Sequence, residues 1–354
     1  MNQNFINPIY YGDEGIKEIN KYILSNKPSK IVFLVDENTH ELCYPKIITE
    51  IESPAEIEIL EIESGENNKN LYTCLNLWEA LTELKIDRKA LFINVGGGVL
   101  TDMGGFIANC YKRGIHFINI PTTLLAMVDA SIGGKTGVDL GSHKNQIGNF
   151  VLPQLVHVDV GFLSTLSKEQ VLSGFAEIIK HGLIADKEYW RKIIQIDEIT
   201  PENLESLIKI SIEIKKAIVT NDFTETGVRK ILNFGHTVGH AVESFFLENN
   251  SPILHGEGVA MGIIVESYIS MKKGLLSYSE HEEIKPYIFS LFPKLNLKKE
   301  YFDDIFLFMQ NDKKNINNEI KFVLLEKIGR AVYDISVEKE LIKEAIYLYI
   351  DHKK

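Results

Sequence analysis

The stretch NFGHTVGHAVES, residues 233–244, sets His236 and His240 four residues apart. On a helix that spacing stacks two imidazoles on one face, where they can share a metal ion. In the zinc-protease motif H-E-x-x-H, the residue after the first histidine is the general base. Here that residue is Thr237, so the pattern offers metal binding without hydrolysis. Two further stretches carry ligands: SGFAEIIKHG, with Glu177 and His181, and LHGEGVAMG, with His255. A catalytic zinc takes three protein ligands and keeps a fourth position open. Spacing alone makes both His236 and His240 ligands, with Glu177 or His255 as the third, and does not decide between them.

A second constellation lies upstream. NVGGGVLTDMGGF (94–106) reads as a strand running into glycines and then a helix. Such a turn lets the backbone approach a pyrophosphate, which the helix N-terminus favours through its N–H groups and partial positive charge. The spacing departs from G-x-G-x-x-G, because Thr101 occupies the third glycine's place. A plain tight turn, with Gly104 and Gly105 allowing close helix packing, is the competing reading. Asp36, closing an apolar run, could hold an adenosine ribose or cap the helix that follows. DASIGGKTGVD (129–139) imitates the end of a P-loop, yet Asp129 stands where that motif needs its first glycine. Within SIGGKTGVDLGSHKNQIGNF, Lys135, Lys144 and Asn145 sit among glycines, as in a packed-down loop that binds an anionic substrate.

These residues need elements to position them. IVFLVD (31–36), EIEILEIES (56–64), ALFINVGGG (90–98) and HFINIPTT (116–123) read as strands. ELCYPKIITEI (41–51), NLYTCLNLWEALTELK (70–85) and LTDMGGFIANCYKRG read as the helices between them. That alternation predicts βαβ units and a mostly parallel sheet. From about residue 162, long helical patterns take over, as in PENLESLIKISIEIKKAIVTND and EGVAMGIIVESYISMKK; KFVLLEKIG and AVYDIS fit a hairpin or helix breaks. The expectation is an α/β Rossmann-like domain over 1–160 and an all-α domain over 161–354.

The chain has 354 residues, 45% of them hydrophobic and 25% charged, as in soluble globular proteins. Its net charge of -11 argues against a nucleic-acid partner, which would demand excess Lys and Arg. Cys43, Cys74 and Cys110 are scattered and suggest a reducing compartment rather than a disulfide framework. No apolar run approaches membrane-spanning length, and the N-terminus lacks a signal-peptide pattern, so a cytoplasmic location with no membrane partner is expected.

Taken in order, the blocks GGGVLTDMGGF, IPTTLLAMVDASIGGKTGVD, KNQIGNF, FLSTLS, SGFAEIIKHG, GVRKILNFGHTVGHAVE, HGEGVAMG and the late DKK resemble the 3-dehydroquinate synthase family of sugar-phosphate cyclases. The resemblance spans nearly the whole chain and implies an active site in the cleft between the two domains. It implies Glu177, His236 and His255 as ligands of Zn2+ or Co2+, with His240 facing the substrate. For NAD it implies Asp36, Glu66, Lys69, Gly97, Gly98, Asp102, Thr122, Thr123, Asp129, Lys144 and Thr165. For the substrate it implies Lys135, Asn145, Lys180, Lys215, Arg229 and Asn233, with Arg113 from the second subunit of a homodimer and Lys314 as a further phosphate contact. The implied activity is a phosphate-eliminating lyase of the shikimate pathway. It would convert 3-deoxy-D-arabino-heptulosonate 7-phosphate into 3-dehydroquinate by transient oxidation, elimination, re-reduction and aldol closure. The alternatives are another cyclase, of the 2-deoxy-scyllo-inosose synthase type, or a metal-dependent polyol dehydrogenase. Phe223 and Gly258 depart from the family pattern at positions without an assigned role.

Overall fold

The computed structural model describes residues 7–141, 143–310 and 320–352. The chain divides into two compact units: 1–167 with 200–208, and 168–199 with 209–354.

The first unit is built on a six-stranded sheet. Its strands are β1 (Ile9–Tyr11), β2 (Lys30–Asp36), β3 (Glu56–Ile62), β4 (Leu91–Gly96), β5 (His116–Pro121) and β8 (Val156–Val158), ordered β1-β8-β5-β4-β2-β3. Every ladder is parallel. Ile31 to Val35 in β2 and all of β4 are buried, as strands covered on both faces must be, whereas edge strand β3 exposes Glu56 and Glu61. Val32, Leu34, Phe92, Phe117 and the helix Gly98–Cys110 share one apolar core. β1 and β8 carry no sequence signal strong enough to announce them. The expected single helix over 41–51 is two short ones, Glu37–Leu42 and Tyr44–Ile48, because Pro45 brings no amide hydrogen to a continuing ladder.

One expectation is corrected outright. SIGGKTGVDLGSHKNQIGNF is no loop: it forms an antiparallel hairpin of β6 (Lys135–Leu140) and β7 (His143–Phe150). Gly137 faces Gly148 across it, and a Cβ on Gly137 would lie 2.4 Å from the Ile147 carbonyl oxygen. The glycines serve strand approach as much as turning.

The second unit is helical, with Lys168–Ala185, His236–Glu248, His255–Lys272, Tyr278–Leu291, Phe302–Gln310 and Lys339–Asp351 as its principal helices. It also contains a hairpin of β9 (Lys321–Lys327) and β10 (Arg330–Ser336), turning at Gly329 with φ +87°.

His281 lies buried in this unit with Nδ1 3.1 Å from the Ser267 hydroxyl. Burial, helped by the Lys285 ammonium, pushes its pKa down to about 4 from 6.5. The unfolded chain therefore binds this proton near 6.5 and the folded chain only near 4, so stability falls as pH drops through that window. His281→Gln should flatten the slope of stability between about pH 7 and about pH 5, read by urea unfolding at both values. An unchanged slope would place the acid sensitivity elsewhere.

Candidate active site

The metal-ligand candidates converge because three helices meet on glycines. A Cβ on Gly262 would fall 1.8 Å from the Gly235 carbonyl oxygen, and one on Gly256 would fall 2.2 Å from that of Ser173. Gly239 and Gly258 face each other in the same way, each Cβ 3.0 Å from the other's backbone. The backbones of His236–Glu248, His255–Lys272 and Lys168–Ala185 are thereby brought together, and these helices bear His236, His240, His255 and Glu177.

Glu177 Oε1 lies 3.4 Å from His236 Nε2 and 3.3 Å from His255 Nε2. Its Oε2 pairs with the Lys180 ammonium, and both side chains are buried. The far nitrogens of the two imidazoles are also held: His236 Nδ1 lies 3.0 Å from the Phe234 carbonyl and His255 Nδ1 lies 2.9 Å from Glu243 Oε2. A carbonyl can only accept, so His236 donates through Nδ1, and in the neutral ring Nε2 then turns its lone pair toward Glu177. In that form an acceptor nitrogen and a carboxylate oxygen face each other, an arrangement that a divalent cation between them would satisfy. His255 reports the same field: although burial works against its protonation, Glu243 and Glu177 push its pKa up to about 10. Two imidazoles and one carboxylate fit a borderline divalent cation.

His240 Nε2 and Nδ1 belong to a ring 5.0 Å from that of His236 and 5.8 Å from that of His255. The structure groups it with Glu243 and His255 and groups Glu177 with His236 and His255. His181, the fourth glycine-flanked histidine, places Nδ1 2.6 Å from Ser211 Oγ and has a ring nitrogen within 4.8 Å of a Glu177 oxygen.

The other expected substrate residues of this unit fall in two settings. Lys215 is buried on the helix Pro201–Asn221. Arg229 is also buried; its Nη1 donates to the Phe223 carbonyl at 2.5 Å, and its backbone N–H donates to Asp222 at 3.0 Å. Asn233 donates to Glu225 Oε1 at 2.6 Å. Lys314 lies outside the described residues.

In the first unit the glycine turn and the hairpin are tied by charge. Lys69 is buried and donates to Asp102 and to Asn145 Oδ1, both at 2.7 Å. Burial opposes its charge, but Asp102, Glu66 and Asp139 together hold its pKa above the usual lysine value. Lys144 pairs with Glu66 at 2.8 Å. Asp139 accepts from the Asn145 backbone N–H at 2.6 Å and thereby pins Asn145 in a left-handed conformation with φ +50°.

Gly97 and Gly98 open the helix Gly98–Cys110, with Thr123 and Ala130 packed where their Cβ atoms would sit. Thr122 donates its backbone N–H to Gly96. Gly104 is needed for packing, since a Cβ would meet Asn94 Oδ1 at 1.9 Å. Asp36 caps the helix Glu37–Leu42, accepting from Thr39 at 2.8 Å. Thr165 reaches Cys43 Sγ at 3.9 Å, and Asp129 lies in the turn Ala126–Ala130. Lys135 begins β6 with its side chain exposed; Arg113 is exposed at φ +66°, just beyond the helix Gly98–Cys110.

Four residues escaped the sequence reading: Glu243, Glu225, Asp139 and Glu266. Glu266 is fully buried and accepts from the backbone N–H groups of Gly235 and Val238 at 2.6 and 3.2 Å, capping the helix that starts at His236. Glu243 was legible in principle, because 236, 240 and 243 follow the i, i+4, i+7 pattern of one helix face.

Solved structures with this fold define its class. A 2-deoxy-scyllo-inosose synthase, crystallised with carbaglucose-6-phosphate, NAD+ and Co2+, superposes with a TM-score of 0.81 at 26% identity, covering 96% of this chain and 95% of that one. An NADH-dependent butanol dehydrogenase from Thermotoga maritima shares the fold alone, with a TM-score of 0.67 at 15% identity and coverage of 97% and 96%. The fold is thus shared with a 2-deoxy-scyllo-inosose synthase and with a butanol dehydrogenase.

Within that class the chain belongs to the 3-dehydroquinate synthase family. The family models for the 3-dehydroquinate synthase N-terminal and C-terminal parts match residues 59–173 and 174–315. A 3-dehydroquinate synthase of Parabacteroides distasonis is 41% identical over 334 residues, 94% of either chain. One from Sulfurovum sp. is 42% identical over 306 residues, 84% of this chain and 85% of its own. Similarity at this level, against 26% for the inosose synthase, favours the heptulosonate reading over both alternatives.

Proposed function

We propose that this protein converts 3-deoxy-D-arabino-heptulosonate 7-phosphate into 3-dehydroquinate and inorganic phosphate, as a lyase dependent on NAD and a divalent metal ion, zinc or cobalt. The observation that carries the reading is the convergence of His236, His255 and Glu177 on one point from three helices, in a chain 41% identical to a 3-dehydroquinate synthase.

Glu177, His236 and His255 would hold the metal, and the glycine turn with Asp36, Glu66, Lys69, Asp102, Thr122, Thr123, Asp129, Lys144 and Thr165 would hold NAD. Bound there, the metal would supply Lewis-acid polarisation of a substrate hydroxyl and NAD a reversible hydride acceptor. The chain's own residues do the rest. Lys180 fixes one oxygen of Glu177 and leaves the other to the imidazoles. Arg229, Lys215 and Asn233 bind the carboxylate and ring hydroxyls, a set that suits a sugar acid better than a neutral sugar. Lys135, Asn145 and His240 bind the phosphate, one of whose oxygens would take the acidic proton beside the ketone as the C–O bond to the phosphate breaks. Re-reduction, ring opening and aldol closure then give the carbocycle. No water is activated, which accounts for Thr237 in place of a hydrolytic glutamate. Arg113, exposed in one chain, would serve a second chain in a homodimer. Among the described residues no helix is long and apolar enough to cross a membrane.

The test is phosphate release from the heptulosonate phosphate by purified protein. Release should require both NAD and the metal, and should be abolished by a chelator and restored by zinc or cobalt. Release unaffected by chelation would remove the metal from the reaction.

A further inference from the structure

We propose that Glu243 is a positioning residue that fixes the tautomer and orientation of His255, so that its Nε2 lone pair faces the cation. The inference rests on the reading that Glu177, His236 and His255 hold a metal. An imidazole that ligates through one nitrogen must carry its proton on the other, and the group accepting that proton decides both tautomer and ring angle. For His236 the acceptor is the Phe234 carbonyl, a backbone atom of the same local turn. For His255 it is the Glu243 carboxylate at 2.9 Å, a buried side chain from a neighbouring helix.

The two imidazoles are therefore held differently. His255 is the first residue of its helix, with Leu254 as N-cap, so local backbone constrains its ring little. Glu243 is buried on the helix that also carries His236 and His240. Its negative charge raises the electron density on Nε2, which a backbone carbonyl does less well. The close approach at Gly239 and Gly258 brings Glu243 within reach, since the Glu243 Cγ would lie 3.2 Å from a Cβ at Gly258. A side chain at 258 would therefore require Glu243 to shift by a few tenths of an ångström.

The experiment compares Glu243→Gln and Glu243→Ala with the parent by chelator competition for zinc and by the visible spectrum of the cobalt-loaded protein. Gln keeps an acceptor for Nδ1–H and loses the charge; Ala loses both. Zinc affinity should fall about 10- to 100-fold in Glu243→Ala and less in Glu243→Gln, with the cobalt bands shifted and NAD affinity unchanged. Zinc affinity within twofold of the parent in both variants, with unaltered cobalt bands, would overturn the proposal. Metal loss as complete as that of Glu177→Ala would make Glu243 a ligand and overturn it too. Glu177→Ala run in parallel separates the two levels: if that variant binds zinc like the parent, the metal-site reading itself fails.

Discussion

His236→Ala should lose its metal and at least about a thousandfold in turnover, while His240→Ala keeps stoichiometric metal and loses about 10²- to 10⁴-fold. The two residues lie one turn apart on one helix, with rings 5.0 Å apart, so proximity alone would give them the same fate. The geometry separates them. His236 presents Nε2 to the Glu177 oxygen that His255 also faces, and its Nδ1 is occupied by the Phe234 carbonyl. Removing it leaves Glu177 and His255 as a pair, too few for a catalytic divalent site. The Lewis-acid contribution, several kcal/mol, goes with it, at about 1.4 kcal/mol per tenfold in rate. His240 is proposed to face the phosphate, so its loss removes a proton-handling or anion-binding group and leaves the ligands in place. Metal analysis of the two purified variants, beside their rates, checks this. Equal metal loss in both would make His240 a ligand.

The second large effect is on folding. Gly262→Ala should destabilise the helical unit by about 3 kcal/mol or more, and Gly256→Ala comparably, seen as a lowered urea midpoint. The added methyl carbon would meet backbone rather than a side-chain tip: the Gly235 carbonyl oxygen at 1.8 Å in one case and that of Ser173 at 2.2 Å in the other. Backbone cannot rotate away, so the helices must part. Because Gly235 precedes His236 and Gly256 follows His255, parting them also displaces the ligands. Metal affinity should fall together with stability in both variants. Gly274→Ala is the control for space, since nothing lies within 4 Å of the added carbon, although its φ of +74° adds modest strain. A Gly262→Ala protein as stable as the parent would show that the helices are not held by that approach.

Much of this was legible in the residues, for physical reasons that differ by region. The continuous apolar runs IVFLVD and ALFINV announce strands buried on both faces, and the structure has them in one parallel sheet. The three-residue strands β1 and β8 are too short for any periodicity to register. The hairpin of β6 and β7 was hidden because its many glycines mimic a loop, and only the partner strand reveals that they meet face to face. Asp36 illustrates an ambiguity that the fold sharpens: its side chain caps a helix in this structure, accepting from Thr39, and any contact to a ribose must use its remaining acceptor capacity. The i and i+4 histidines declared proximity and nothing more. Which nitrogen faces what depends on Phe234, Glu243 and Glu177, and two of those three come from stretches whose spacing says nothing about His255. Glu266, a buried charge in the middle of a mostly apolar helix, had no local signal at all; its reason is the helix N-terminus it caps.

Transient oxidation in the service of elimination is the core of the proposed reaction. Its most direct test is to follow phosphate and NADH together while purified, metal-loaded protein turns over 3-deoxy-D-arabino-heptulosonate 7-phosphate with NAD. The expected result is many equivalents of phosphate per enzyme, formation of the carbocycle, and no net accumulation of NADH. NADH rising in step with substrate consumed would mark a dehydrogenase and contradict it.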